Sequence, residues 1–582
     1  MKRLGKISEN NLLLLLSLGV GICAGLAAVL LERGISLIQS GLMPWMTAPD
    51  GFAWGRFVLP GAGMLLTLLF VRFLVRDNIG HGVTKVLLSL SREDARIRPH
   101  NMGSSLVASA MTIGFGGSVG AEAPIVYTGA ALGSNFGRAA GLSQRGISIL
   151  VGCGAAGAVS GIFGAPLAGV LFTLEVLMFN LSMSSLMPLL LSTVSAAVVV
   201  YIHDGGVAKF ACDLTPFQPS NIPFYIALGI ISGLISLYFM HTALALEDRL
   251  ARLRGNFWRW LVCALSLGLL IFLFPPLFGE GYDSLRMMLG SRDIAVSGPL
   301  PLPLSSPWSV PAFFALILLL KVFAMTFTNA GGGVGGTFGP TLIVGGLTGF
   351  VLSRSLNLLL AGTGIVIPEH NFVLVGMGGL MAGVMQAPMT AIFLIAEITG
   401  GYELLLPLIL CSTVSFGTIR VREKYSIYSK RIAQSGDLMT HDNDHSALML
   451  IKTAQLVRDK YPHVSAGMSL RELVGLLSGS TAAVYPVLDE DGRFVAQVEV
   501  EHIRKIVFRT ELYDRMFVRD LMEKPPFTVN ADERMEAVME KFAKSGSWRL
   551  PVLDAEGRYL GFISKSRVLE AYREALREIS RD

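Results

Sequence analysis

The feature that most constrains this chain is a pattern that occurs twice: apolar runs broken by clusters of Gly and Pro. The stretch Gly161-Ile-Phe-Gly-Ala-Pro-Leu-Ala-Gly-Val-Leu-Phe-Thr-Leu-Glu175 lies over Gly383-Val-Met-Gln-Ala-Pro-Met-Thr-Ala-Ile-Phe-Leu-Ile-Ala-Glu397, with Gly, Ala, Pro and Glu in register at an offset of 222. Gly117, Gly120, Pro124, Gly129 and Gly133 match Gly333, Gly336, Pro340, Gly345 and Gly349 at an offset of 216. Gly21, Gly25 and Leu26 match Gly229, Gly233 and Leu234 at 208. Collinear matches with a slowly drifting offset mark two halves of one ancestral unit, spanning 12–205 and 222–420. In hydrocarbon a broken helix leaves backbone amides unpaired, so breaks survive only where they line a cavity or an ion path. The binding site is therefore expected where the halves meet.

The runs themselves are long enough for a bilayer. Apolar segments follow one another from residue 12 to about 420, half the residues are apolar (52%), only 16% are charged, and the mean hydropathy is +0.57. That balance excludes a soluble globular protein and implies a multi-pass membrane protein. The abundance of Gly, 64 residues, fits close helix packing in lipid. A net charge of +5, spread over loops and the C-terminal part, gives no nucleic-acid surface. Cys23, Cys153, Cys212, Cys263 and Cys411 have neither paired nor metal-ligand spacing and read as packing residues. The opening MKRLGKISENN before the apolar run from Leu12 to Leu31 resembles a secretory signal, but the run is long enough to span and many like it follow. It is read as the first membrane helix, with Lys2, Arg3 and Lys6 placing the N-terminus in the cytoplasm of a cell whose inner membrane holds the protein.

After Ser429 the texture changes to mixed charge with short amphipathic segments. Two units of the same order appear there: RELVGLL, a hairpin around Asp491-Gly492 and EHIRKIVF, then EAVMEKFAKSG, a hairpin around Glu556-Gly557 and SKSRVLEAYREALREI. Both hairpins carry Pro-Val-Leu-Asp. The order resembles a pair of CBS domains, expected at 469–515 and 516–582 behind a linker at 429–468.

Within the membrane part, Gly117-Ser-Val-Gly-Ala-Glu-Ala-Pro-Ile-Val126 sets one carboxylate, Glu122, among small residues just before an apolar helix. An ionised carboxylate there needs a partner, a proton or an aqueous path. A helix N-terminus offers about half a positive charge to an anion. Glu122 can thus occupy an anion site and leave it when protonated, or merely cap its own helix. Its counterpart, Gly331-Gly-Gly-Val-Gly-Gly-Thr-Phe-Gly-Pro-Thr341, has no ionisable group and supplies only amides and a helix start at Pro340. Partial charges hold an anion weakly enough to let it go, as conduction requires.

These motifs resemble the CLC chloride channel and transporter family. Gly120-Ala-Glu-Ala-Pro124 is similar to its gating motif, Gly336-Thr-Phe-Gly-Pro340 to its Gly-x-Phe-x-Pro motif and Gly80-His-Gly-Val-Thr84 to its Gly-Ser-Gly-Ile-Pro motif. The resemblance implies an all-α membrane fold of two inverted repeats over residues 1–428, a homodimer with one pore per subunit, and a cytoplasmic α+β CBS pair. It implies Glu122 as the gate, His81, Gly82, Gly120, Ala121, Thr337 and Phe338 around the anion, and a tyrosine at the inner mouth, Tyr428 with Tyr425 as its rival.

Three departures bear on mechanism. His81 stands where the family has serine, and the N–H donor of its imidazole bears on anion preference. Val176, after Glu175, stands where proton-coupled exchangers carry a second glutamate. An apolar residue cannot carry a proton, so the expectation is a passive chloride channel, with a proton-coupled chloride antiporter as the alternative. In the CBS pair, Glu499 with His502 and Ser564 with Arg567 replace the usual ribose-binding pair, which argues against bound adenine nucleotide, although Arg549 and Arg567 could meet a phosphate. No cofactor is expected. No His-Glu-x-x-His pair supports an intramembrane metalloprotease, nor do acidic rings support a cation channel, so no enzyme is expected and the bound partner is chloride or another small anion.

Overall fold

The computed structural model describes residues 8–46, 54–92, 95–179, 183–205, 209–210, 212–253, 255–290, 306–434, 451–457 and 461–580. Lys2, Arg3 and Lys6, on which the expected orientation rests, lie outside the described residues. The chain divides into two compact units, 1–438 and 439–582.

The first unit is helical. Its helices are α1 (Glu9–Met46), α2 (Trp54–Phe70), α3 (Gly82–Arg92), α4 (Ser104–Gly114), α5 (Glu122–Ala140), α6 (Gln144–Phe163), α7 (Pro166–Glu175) and α8 (Met183–Asp204). They continue with α9 (Ile222–Ala251), α10 (Asn256–Leu273), α11 (Tyr282–Leu289), α12 (Ser309–Ala330), α13 (Phe338–Leu359), α14 (Glu369–Met385), α15 (Pro388–Ile398), α16 (Leu405–Arg420) and α17 (Lys430–Gln434). Among the described residues, eight helices are long and apolar enough to cross a bilayer. Others stop short where the sequence breaks them. Helix α6 ends at Gly164 and α14 at Gln386, both in the left-handed region, and Pro166 and Pro388 then start α7 and α15. At 10 and 11 residues these two cover only about 15 Å each, half a bilayer.

The halves pack alike. A Cβ on Gly129 would run into the carbonyl of Gly154, and one on Gly345 would meet that of Gly376 at 2.5 Å, so α5 lies on α6 as α13 lies on α14. Gly21 approaches the Ser192 carbonyl of α8, and Gly229 approaches Cys411 and Val414 of α16. The repeated glycines therefore mark repeated helix crossings. Where the halves meet, the exchange is reciprocal. The Glu175 carboxylate at the end of α7 accepts the amides of Met389 (3.0 Å) and Thr390 (2.7 Å), which open α15. The Glu397 carboxylate at the end of α15 accepts those of Leu167 (3.0 Å) and Ala168 (2.9 Å), which open α7.

The second unit carries the expected hairpins. Strand β1 (Val484–Leu488) pairs antiparallel with β2 (Phe494–Glu499); β3 (Val529–Asn530) pairs parallel with β4 (Arg549–Leu553), which pairs antiparallel with β5 (Tyr559–Ser564). The turns are built identically: Asp489 Oδ1 accepts the amides of Asp491 and Arg493, and Asp554 Oδ1 those of Glu556 and Arg558. Gly492 and Gly557 supply the positive φ, 77° and 81°, that these turns demand. The stretch 429–468 is not a plain linker. Lys430–Gln434 is helical within the first unit, Ile451, Leu456 and Val457 pack on the core of the second module, and Val464 bridges to Val487 of the first. Apolar side chains inside that charged stretch give it cores to join.

Candidate anion pathway

The two Gly-rich loops clasp each other. Gly120 donates to the Gly336 carbonyl at 3.0 Å, and Gly336 donates back to Gly120 at 2.7 Å, an antiparallel bridge between equivalent residues of the two halves. The bridge brings the N-termini of α5 and α13 together. Glu122, the first residue of α5, is 2% exposed. Its Oε2 accepts the Gly339 amide at 3.2 Å in the first turn of α13, and its Oε1 accepts the Tyr282 hydroxyl at 2.6 Å. The carboxylate thus occupies the position that the dipole of α13 offers to an anion. Glycines let the two loops close on it, because a Cβ on Gly120 would run into the carboxylate and lie 2.9 Å from the Gly339 nitrogen, and one on Gly339 would lie 3.0 Å from Oε1 and 3.2 Å from Gly120 Cα.

A cavity opens on either side. One is lined by His81, Ala123, Glu247, Thr337, Tyr428 and Arg431, the other by Gln39, Arg56, Glu280, Tyr282 and Phe314. Helix α12 touches the first with Met325 and Asn329 and the second with Phe314, so the cavities lie at opposite ends of a spanning helix, about 15–20 Å apart along it. Gln39 and Glu247 stand at the 208 offset of the repeat, yet line opposite cavities. Equivalent positions facing opposite ends of the membrane make the repeats inverted.

The structure brings together most residues singled out from sequence. Thr337 and Phe338 open α13; the Thr337 hydroxyl donates to the Tyr428 oxygen at 3.0 Å, and Phe338 packs on Phe163 at 5.1 Å between ring centres. Tyr428 is buried, whereas Tyr425 is not part of this cavity lining. Gly82 opens α3, where a Cβ would strike the Ala123 carbonyl. His81 has φ of 56°, and its Nε2 lies 2.8 Å from Glu247 Oε1 at the cavity mouth.

Two expectations need correction. The amides of Gly120 and Ala121 do not face an anion, because the first bonds to Gly336 and the second donates to Glu280 Oε1 at 3.0 Å. Glu280 thereby brings a second carboxylate to the loop that carries Glu122. Val176 is 2% exposed at the end of α7, and its neighbour Glu175 is engaged with α15.

Glu280, Tyr282 and Lys321 were not read from sequence. Lys321 is fully buried in α12 and donates to Ser118 Oγ at 2.8 Å and the Gly279 carbonyl at 3.0 Å, which ties the Glu280 loop to the loop that carries Glu122. A single Lys inside the apolar run 311–329 was the available signal, because an ionisable residue at membrane depth calls for a partner.

Comparison with known proteins agrees with this geometry. A family model described as "Voltage gated chloride channel" matches residues 62–420, more than half of the chain, and a CBS domain model matches 454–509 and 518–574. A "Putative chloride channel protein ClcB-like" from Ralstonia nicotianae is 28% identical over 68% of this chain and 87% of its own length. An "H(+)/Cl(-) exchange transporter ClcA" from Cronobacter sakazakii is 27% identical over 69% of this chain and 84% of its own. In fold, the chain resembles a slow cyanobacterial Cl-/H+ antiporter, with a TM-score of 0.64 and 20% identity over 73% of this chain and 97% of that one. This multi-pass membrane protein, with its inverted repeats, its clasped helix N-termini and its C-terminal CBS pair, belongs to the CLC family of anion channels and transporters.

Proposed function

We propose that this protein is a proton-coupled antiporter that exchanges chloride for protons across the cell membrane, working as a homodimer with both termini in the cytoplasm. The observation that supports it is the seat of Glu122. Its carboxylate and a permeating anion want the same Gly339 amide, so each can enter only as the other leaves. A carboxylate leaves a buried site more readily as the neutral acid. Displacement by an anion and departure with a proton are then two phases of one cycle, which links anion movement one way to proton movement the other. Thr337 and Phe338 amides serve the anion, and the Tyr428 hydroxyl narrows the path on the other side. Lys2, Arg3 and Lys6 support the orientation.

Passive conduction is the second reading, and Val176 favours it, because no titratable side chain stands at the usual relay position. Liposomes distinguish the two. With a chloride gradient imposed and the membrane potential clamped, uphill proton movement at fixed stoichiometry is expected. Chloride flux with a reversal potential set by chloride alone would replace the antiport reading with the channel.

A further inference from the structure

We propose that protons reach Glu122 from the cytoplasm through the anion cavity itself, by way of the His81–Glu247 pair at its mouth; this rests on the antiport reading above. Among the described residues, the titratable side chains lining that cavity are His81, Glu247, Tyr428 and Arg431. Tyr428 is committed to Thr337. The other three form one cluster. Glu247, in the last turns of α9, holds His81 Nε2 at 2.8 Å and one Arg431 nitrogen at 3.3 Å through the same oxygen, Oε1. The other Arg431 nitrogen lies 3.0 Å from Asp248 Oδ1.

Charge counting shows what such a cluster can do. Two carboxylates share one guanidinium, so with a neutral imidazole the group carries one net negative charge, and one added proton neutralises it. Other charges nearby are engaged elsewhere. Glu423, beyond the end of α16, takes His241 at 2.6 Å and Lys430 at 2.8 Å; partial burial pushes its carboxyl up, but these bonds outweigh it and hold it below its ordinary value. Lys85 of α3 lies over the Tyr127 ring, 5.9 Å from its centre. Lys321 of α12 is bonded to Ser118 Oγ and the Gly279 carbonyl. The His81 backbone sits in the left-handed region, a conformation few residues adopt readily, and its ring is held by the contact with Glu247.

The transfer balances. A cytoplasmic proton binds imidazole Nδ1, and the proton on Nε2 passes to Glu247 Oε1. The neutral acid hands it to water in the cavity, whose volume of about 100 Å³ admits a short chain of molecules; the chain ends against Ala123, the neighbour of Glu122, and the last transfer to the Glu122 carboxylate lies past that lining. Glu247 is again a carboxylate, His81 returns to its starting tautomer by releasing its Nδ1 proton to cytoplasmic water and taking one up on Nε2, and neutral Glu122 yields the Gly339 amide to an anion. The Val176 position is bypassed, so proton and anion share one inner entrance.

The test uses full-length protein in liposomes, reading proton flux per chloride at several internal pH values. Glu247→Gln is expected to lower that ratio about tenfold or more and to flatten its dependence on internal pH, while Glu247→Asp retains coupling. His81→Asn, whose side chain tolerates the left-handed backbone, is expected to weaken the dependence on internal pH even where Glu247→Gln fails to fold. An unchanged ratio and internal pH profile in Glu247→Gln or His81→Asn, in protein whose wild type couples protons, overturns this proposal alone. A wild type that moves no protons removes the antiport reading, and this proposal with it.

Discussion

Glu122 is held by two donors of different kinds, and they can be separated. The Gly339 amide belongs to the proposed anion seat, whereas the Tyr282 hydroxyl meets the carboxylate from another helix. A hydrogen bond to a charged group contributes about 1.5–3 kcal/mol, and each pH unit of a gating equilibrium corresponds to about 1.4 kcal/mol. Tyr282→Phe should therefore leave the proposed gate easier to protonate, so that chloride flux persists to a pH about one to two units higher than in wild type. Glu122→Gln, which mimics the protonated gate, should remove most of the pH dependence. Stopped liposome flux assays across pH check both, and an unmoved profile in either variant would count against the assigned contact. Of these two residues the sequence pointed only to Glu122, because its Gly-rich setting is local. Tyr282 lies 160 positions away and nothing beside it in the chain announces the contact.

At the scale of helices, the reciprocal carboxylates of Glu175 and Glu397 satisfy the amides that open α15 and α7. Half-span helices need this more than full ones, because their ends lie inside the membrane where water does not compensate them. Glu175→Ala leaves two amides and the Thr390 hydroxyl without their acceptor and should cost about 1–3 kcal/mol, with a similar loss for Glu397→Ala. Thermal unfolding in detergent, compared with the wild type, checks this. A melting temperature unchanged in both variants would show that the caps carry no stability. The sequence aligned these two glutamates at the 222 offset, but their crossed partnership needs two helices docked in space.

For the whole molecule, the CBS pair is the part whose family habit and chemistry diverge most. The groove beside β2 and β4 carries Glu499 and Glu501 along with Arg504 and Arg549, a mixed lining that offers a polyphosphate little net attraction. Millimolar ATP is therefore expected to leave the melting temperature of the full-length protein unchanged. A ligand at 100 times its Kd would stabilise by about 2.7 kcal/mol, so a shift of several degrees would establish a nucleotide site.

By itself the sequence determined the membrane setting, the two halves, the breaks in the helices and the CBS order, because hydropathy, glycine spacing and turn residues act over a few neighbouring positions. It also singled out Glu122, Thr337 and Tyr428, through motifs that sit at helix ends, and the structure places Thr337 and Tyr428 in contact on one cavity. Only the tertiary structure decided which amides of these loops are taken by partners within the protein. The clasp of Gly120 with Gly336 removes one donor and Glu280 removes the amide of Ala121, each through a partner far along the chain. Hydrogen bonds at a buried helix end go to whatever the fold brings within reach, and that is settled by the docking of distant segments.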